Sequence, residues 1–513
     1  RLRHRLRADH PHAHRWRLVL GYWLLLGLLL FAFALGRGYN HDEEQFLAAG
    51  VLALESLPYR DFIYLQPPAY PALLAGLFRL LGLEGGYFLT ARLLNLGFTL
   101  LALAALWRFA RLLSDDPAPA MATTLLFAAS TAIQPAIDSM RNDMAPCALA
   151  LWATVLILGE MGRDRPRHRL AALAGLLMAG AVGMKLSYGF APPVLLFWLA
   201  WRRRGLLPAF VAGGTAGALL LAPWPLKGWA GFVEGVFTYH RVTPALWHAE
   251  AGLSAYFGLE YLAEFLNRRI FTDAVLAVLL FLATALLLVR RGAGAATGRL
   301  YPGLLGMMML CALIFGLLPR PPYIQYFMPF AAFTLLALPV AWVALEPAGR
   351  VRGALLAAVV LLGALPGTLV MLANAPRLMQ PGKWMVTRVA DVGRAIGAEM
   401  RAAGLSGPVA TLSPIPVLEA GLEIYPELAT GPFFYRTADR LPAETLKRLN
   451  AVGRRDLPAL LAARPPAAIL VGREGPGLEQ PLLDHARDHG FIERPVPGVR
   501  GLRLFLAPAR DTR

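Results

Sequence analysis

The sequence predicts an α-helical polytopic membrane protein that carries a small C-terminal α/β domain. Three observations predict it. Of the 513 residues, 57% are hydrophobic and only 16% are charged, where an ordinary soluble domain has about 25% charged; the mean hydropathy is +0.51. Long apolar runs recur as far as residue 373. After Asn374 the texture changes to amphipathic helices alternating with short apolar strands, the pattern of an α/β unit.

The chain has 50 Lys and Arg against 33 Asp and Glu, a net charge of +17. The basic residues cluster between the apolar runs, at 1–5, 163–169, 202–204 and 290–291. That placement is the positive-inside pattern of a membrane protein and argues against a nucleic-acid partner. Cys147 and Cys311 sit in apolar runs and offer neither a disulfide framework nor metal spacing.

A spanning helix needs roughly 20 apolar residues. The first run, 18–35, exceeds a signal core of about 7–15 residues and reads as an uncleaved helix. Further runs at 88–110, 119–135, 144–161, 169–184, 187–201, 206–224, 271–289, 300–318, 324–345 and 352–373 bring the expected count to about eleven. With the N-terminus cytoplasmic, the basic loops fall inside. The loops at 36–87, 136–143, 225–270 and 319–323 fall outside with the C-terminal residues 374–513, which are expected to form an extracytoplasmic domain with its own core. Residues 41–56 and 68–82 are helical in pattern but unsuited to spanning. They predict two interfacial helices joined by a Pro-pinned turn in the first outer loop. In the C-terminal part, helices are expected at 384–403, 457–463 and 478–490, and strands at 408–412, 467–471 and 502–506.

The candidate chemistry lies at the outer ends of the spans. His41-Asp42-Glu43-Glu44 follows the first span, so three carboxylates are held at a bilayer edge, where acids are costly. Asp42 could serve only as an N-cap, with Glu43 and Glu44 favoured by the helix dipole. The alternative is that Asp42, with Glu43, supplies a general base. Asp138-Ser139-Met140-Arg141-Asn142-Asp143 forms a second acid cluster, in which Asp143 opens a helix and could cap it. Alternatively Asp143, Asp138 and Asp61 position an acceptor or a cation, with Arg141 balancing the charge. Lys185 and Arg320, together with Tyr323 and Tyr326, could hold a phosphate, or the two cations could simply reach the headgroups. His240 and His248 are candidate metal ligands only if a carboxylate joins them. No nucleotide-binding loop is present, which leaves a lipid-linked donor as the more natural one.

The ordered set of Asp42-Glu43, Tyr59-Arg60-Asp61-Phe62, Gln66-Pro67-Pro68, Ala91-Arg92-Leu93-Leu94, Arg141-Asn142-Asp143 and Arg320 to Tyr326 resembles the GT-C glycosyltransferases. The nearest groups are the protein O-mannosyltransferases and the lipid A aminoarabinose transferases. The resemblance covers residues 18 to about 345. It implies a helical bundle in the inner (plasma) membrane, a polyprenyl-phosphate-linked sugar as donor, Asp42 in the place of the catalytic carboxylate, and inversion at the anomeric carbon. It also implies an extracytoplasmic acceptor, whether protein, lipid A or another envelope glycan, and leaves a divalent cation open. Gln66 departs from relatives that carry Lys before Pro-Pro. A competing function class is a transporter or flippase. Its binding groups would be expected near mid-membrane on broken helices in paired halves, not at helix ends.

Overall fold

The computed structural model describes residues 11–289, 300–496 and 501–508. The basic cluster at 1–5 and the loop with Arg290 and Arg291 lie outside them. The first half of the chain runs α1 (Pro11–Gly36), α2 (Asp42–Leu52), α3 (Ala69–Leu80), α4 (Tyr87–Leu113), α5 (Ala118–Ala129), α6 (Gln134–Ile137), α7 (Met144–Met161), α8 (His168–Met184), α9 (Ala191–Arg202) and α10 (Leu207–Leu221). It continues through α11 (Pro223–Lys227), α12 (Trp229–Val233), α13 (Tyr239–Glu250), α14 (Leu259–Phe265), α15 (Asp273–Val289), α16 (Leu300–Leu317), α17 (Met328–Leu336), α18 (Leu338–Ala344) and α19 (Arg350–Asn374).

Each apolar run corresponds to helix, but the helices differ in reach. Among the described residues, five stretches are long and apolar enough to cross a membrane: Trp16–Gly36, Tyr87–Leu113, Met144–Met161, Arg204–Lys227 and Arg350–Met379. A sixth would be the pair Leu259–Ile270 and Asp273–Leu287, bent by 86°. The other expected spans are shorter helices. Leu24, Leu25, Leu219, Leu220, Leu361 and Leu362 stand exposed on these helices, a surface suited to lipid, and the molecule is a multi-pass membrane protein.

The expected run 119–135 breaks for a visible reason. Ser130 turns extended (ψ 121°) after α5. Gln134 then donates from Nε2 to the carbonyls of Ala128 (3.4 Å) and Gly367 (2.9 Å). A buried amide thus satisfies the Ala128 carbonyl at the end of the broken run and ties the break to the Gly367 carbonyl of α19. Similarly, Pro329 and Pro339 begin α17 and α18, dividing the expected 324–345 run in two.

The chain then forms α20 (Met385–Ala402), β1 (Val409–Thr411), α21 (Ile415–Glu419), α22 (Pro432–Tyr435), α23 (Ala443–Arg448), α24 (Leu457–Ala463), β2 (Ala468–Val471), α25 (Pro476–Asp488), β3 (Ile492–Pro495) and β4 (Arg503–Leu506). The sheet order is β1-β2-β4-β3. β1 and β2 are parallel in the register Ala410 to Ile469, and β4 runs antiparallel to both β2 and β3, with Ile469 opposite Phe505. β3 was not expected from the sequence. Its residues Ile492, Glu493, Arg494 and Pro495 are all exposed, so no buried alternation marks it as a strand.

Alternation along the central strands divides the cores. Ala410, Ile469, Val471 and Phe505 face a core closed by Leu457 and Leu461 of α24 and Leu482 of α25. Val409, Ala468, Leu470, Leu504 and Leu506 join a different core, which contains Val389 and Ile396 of α20 together with Phe46 of α2, Leu74 of α3 and Phe88 of α4. The second face of the sheet therefore shares its core with the segment between α1 and α4, and the C-terminal part is not packed on its own alone.

Candidate active site

α2 begins where α1 ends, and its first turn is fixed by buried polar contacts. Asp42 is the first helical residue and His41 precedes it, with no side-chain capping bond. The Asp42 N–H donates instead to Asn40 Oδ1 (2.9 Å). The capping reading of Asp42 is therefore corrected, because the carboxylate is free of the helix end. Asp143 precedes α7 and likewise makes no capping bond.

Both carboxylates meet the same guanidinium. Arg141 Nη1 lies 3.0 Å from Asp42 Oδ2, and Arg141 Nη2 lies 2.7 Å from Asp143 Oδ2. Lys185, which follows α8, pairs with the other oxygen of Asp143. The second oxygen of Asp42 lies 3.3 Å from His41 Nε2. The result is a chain His41–Asp42–Arg141–Asp143–Lys185 drawn from three separated segments. Its His41–Asp42 end is the open one: the His41 side chain is 50% and that of Asp42 21% exposed, against 2% for Asp143. Burial opposes charge on Asp42, but the His41 hydrogen bond and the Arg141 charge prevail and hold its carboxyl below the usual range. Burial also opposes charge on Asp143, where Lys185 and Arg141 prevail.

Glu43, paired with Asp42 as a candidate base, lies in a different environment. It is fully buried and accepts four hydrogen bonds: from Arg92 Nε and Nη2 (both 2.7 Å), from Met140 N–H (2.6 Å) and from Asn40 N–H (2.8 Å). Arg92 Nη1 also donates to the Ala34 carbonyl (2.6 Å). This buried pair ties the end of α1, the start of α2, the second turn of α4 and the loop before α7 into one joint. Every acceptor site of Glu43 facing this joint is engaged, which leaves no room for substrate.

The other candidates divide between the site and its surroundings. Asp61 closes a turn, pairing with Arg60 (2.7 Å) and accepting from Leu57 N–H (2.7 Å). Asp138 pairs with Arg37 (3.1 Å) in a separate cleft of about 620 Å³ lined also by Asn374 and Arg377. His240 Nε2 sits 2.6 Å from the Leu65 carbonyl and 3.1 Å from the Gln66 amide, while His248 Nδ1 lies 2.7 Å from the Pro244 carbonyl. No group of three His, Cys, Asp or Glu able to hold a metal occurs among the described residues. With Arg141 between Asp42 and Asp143, those carboxylates do not fit a divalent cation either.

Tyr323 and Tyr326 pack edge-on to each other with ring centroids 5.7 Å apart, and the Tyr323 hydroxyl lies 3.5 Å from His248 Nε2. Arg320 precedes them and has a buried Nη1 without a hydrogen-bond partner among the described residues. Gln66 reaches the same wall: its Oε1 accepts from Asn142 Nδ2 (3.4 Å), which also donates to the Met184 carbonyl (2.9 Å).

Three further residues lie at Asp42 or around the Phe433 ring that packs on its neighbour His41. His41 was legible, being adjacent to Asp42 in the chain. Tyr239 and Arg436 were not. Arg436 is brought in by the C-terminal part through contacts that no local pattern announces. Phe433, in the same short segment, lies edge-on to His41 with ring centroids 5.1 Å apart.

No family model matches the sequence, and no curated protein matches it. Solved structures do. ArnT from Cupriavidus metallidurans in the apo state aligns over 97% of this chain and 99% of its own, with a TM-score of 0.59 and 14% identity. The same protein bound to undecaprenyl phosphate aligns over 96% and 98%, with a TM-score of 0.57 and 14% identity. The oligosaccharyltransferase of Archaeoglobus fulgidus, in complex with Zn and sulfate, aligns over 88% of this chain and 68% of its own, with a TM-score of 0.50 and 11% identity. The chain thus has the fold of ArnT, and the resemblance to the GT-C glycosyltransferases carried by its sequence holds at the level of the fold.

Proposed function

We propose that this protein is an integral membrane glycosyltransferase that moves a sugar from a polyprenyl-phosphate donor to an extracytoplasmic acceptor, with Asp42 as general base. The observation that carries the reading is the charge chain that is buried at Arg141, Asp143 and Lys185 and reaches solvent through Asp42 and His41. The fold shared with ArnT, whose second structure holds undecaprenyl phosphate, supports the donor class.

In this reading the acceptor hydroxyl or amine attacks the anomeric carbon. Its proton passes to Asp42 as the new bond forms. The bond from the anomeric carbon to the phosphate oxygen breaks, the electron pair leaves with the polyprenyl phosphate, and the configuration inverts. Asp42 suits the role because its carboxyl stays ionised at neutral pH. Arg141 and Asp143 orient it, and Glu43 with Arg92 fixes the joint on which it stands. Lys185 is neutralised by Asp143, so we assign the donor phosphate to Arg320, with Tyr323 and Tyr326 beside it. Residues 374–513 are the extracytoplasmic part, the N-terminus is cytoplasmic, and the membrane is the inner (plasma) membrane.

The test is purified protein in nanodiscs with a panel of radiolabelled polyprenyl-phosphate sugars and an envelope extract as acceptor. Asp42→Asn keeps the shape and can still accept from Arg141. It is expected to lower transfer by a factor of about 10²–10⁴ in a protein that still folds, shown by a cooperative melt and a monodisperse profile. Near-normal turnover in that variant would remove Asp42 from the mechanism.

A further inference from the structure

Arg436 differs from the arginines that surround it in the C-terminal part. Arg440 pairs with Glu234, Arg464 with Glu427, and Arg473 lies 3.7 Å from Glu44. Arg454 lies 3.9 Å from Glu250 and 3.8 Å from Asp439. Among the described residues no carboxylate pairs with Arg436. Its Nε donates to the Pro432 carbonyl (3.1 Å). Its guanidinium carbon sits 4.6 Å from the ring centre of Trp247 on α13 and 5.0 Å from that of Phe433.

Two aromatic faces and a carbonyl thus hold a permanently charged planar group in place without neutralising it. Its position is next to the site. Phe433, the ring it covers, lies edge-on to His41 with ring centroids 5.1 Å apart and accepts at its carbonyl from the Tyr239 hydroxyl (3.4 Å), and His41 lies 3.3 Å from Asp42. A half-buried guanidinium with its terminal nitrogens unspent is suited to a bidentate oxyanion.

We propose that Arg436 is a binding residue for a phosphate-type anion of a substrate at the Asp42 site, supplied to that site by the C-terminal part of the chain. The inference rests on the glycosyltransferase reading for its site but not for its test. The anion has two possible sources with the same chemistry: the phosphate of the lipid-linked donor, or an acidic group on the acceptor.

The experiment measures binding to the full-length protein in nanodiscs, without turnover. One arm titrates undecaprenyl phosphate, and the other titrates an alkyl glucoside phosphate, with the neutral alkyl glucoside as control. Arg436→Met keeps the stem packed between the rings and removes the charge. Arg436→Lys keeps a charge and loses the fork. We expect Arg436→Met to weaken one of the two phosphates at least tenfold, with Arg436→Lys intermediate and the neutral glucoside unaffected. Loss in the first arm assigns the anion to the donor, and loss in the second assigns it to the acceptor. Melting temperatures close to wild type establish that both variants fold. If both phosphates bind wild type and Arg436→Met equally, the proposal is overturned while the glycosyltransferase reading stands. If wild type binds neither phosphate, both fail together.

Discussion

Arg141 illustrates how a costly group becomes a positioning device. Its side chain is only 6% exposed, yet it serves two carboxylates. Removing one partner from such a cluster would leave an uncompensated charge, at a cost on the order of 3–5 kcal/mol. The cluster therefore holds its members in one geometry, and Asp42 inherits that rigidity. Glu44, two residues on, faces the other way. Its Oε2 accepts from Ile415 N–H (2.8 Å), while Oε1 has no hydrogen-bond partner and faces Arg473 at 3.7 Å. Burial pushes its pKa up to about 7 against the favourable charge of Arg473, with Tyr39 and Glu474 also nearby. A carboxyl whose folded pKa exceeds its ordinary value of 4.5 binds its proton more tightly in the folded state. Its contribution to stability is therefore greatest below that ordinary value and is lost as pH rises through 7. Glu44→Gln is expected to melt higher than wild type near pH 8, by up to ~3 kcal/mol in stability, with the gain shrinking toward pH 5. Parallel melting curves across that pH range would show that Glu44 does not carry the titration.

At the scale of elements, close packing places Lys185. α8 and α10 cross at glycines: a Cβ on Gly213 would lie 1.8 Å from the Ala172 carbonyl oxygen, and one on Gly175 would lie 2.0 Å from that of Phe210. Backbone contact of this kind is how small residues draw membrane helices together. It fixes α8 and hence Lys185 at its end. Gly213→Ala must force the pair apart and is expected to cost about 1–3 kcal/mol. Gly214→Ala, whose Cβ would meet the nearest atom at 3.7 Å, serves as the neutral control. Thermal unfolding of both variants in the same detergent checks this, and equal melting temperatures would refute the close-approach argument. The short helices were harder to read than the long ones. In α5 and in the pair α17 and α18, apolar composition continues through a break. The break is set by Gln134 bonding Gly367, 233 residues away, in one case and by Pro339 in the other.

The whole molecule is bound together across the end of the bundle that carries α2 and α3. One face of the sheet belongs to the same core as Phe46, Leu74 and Phe88. Glu44 accepts from Ile415 N–H, Glu419 accepts from Phe88 N–H (2.7 Å), and Asn450 donates to the Asp61 carbonyl. A chain ending near residue 374 would expose that shared core and strand the buried Glu44. It is expected to aggregate on purification. A monodisperse truncated protein with the wild-type melting temperature would show that the two parts are independent after all.

The sequence alone determined the membrane class, the order of the apolar helices, the two short helices after α1, three of the four strands and the acids beside the helix ends. These follow from composition and from periods of two and 3.6 residues, which are local properties. Tertiary structure decided which acid is open. Asp42 and Glu43 are neighbours in the chain, yet successive residues of a helix point about 100° apart. One carboxylate therefore faces Arg141 and is partly exposed, while the next is locked onto Arg92 from another helix. It also decided that Arg436 stands over Trp247 and the Phe433 that meets His41, because that place depends on packing between segments hundreds of residues apart, and no local pattern encodes a contact of that range.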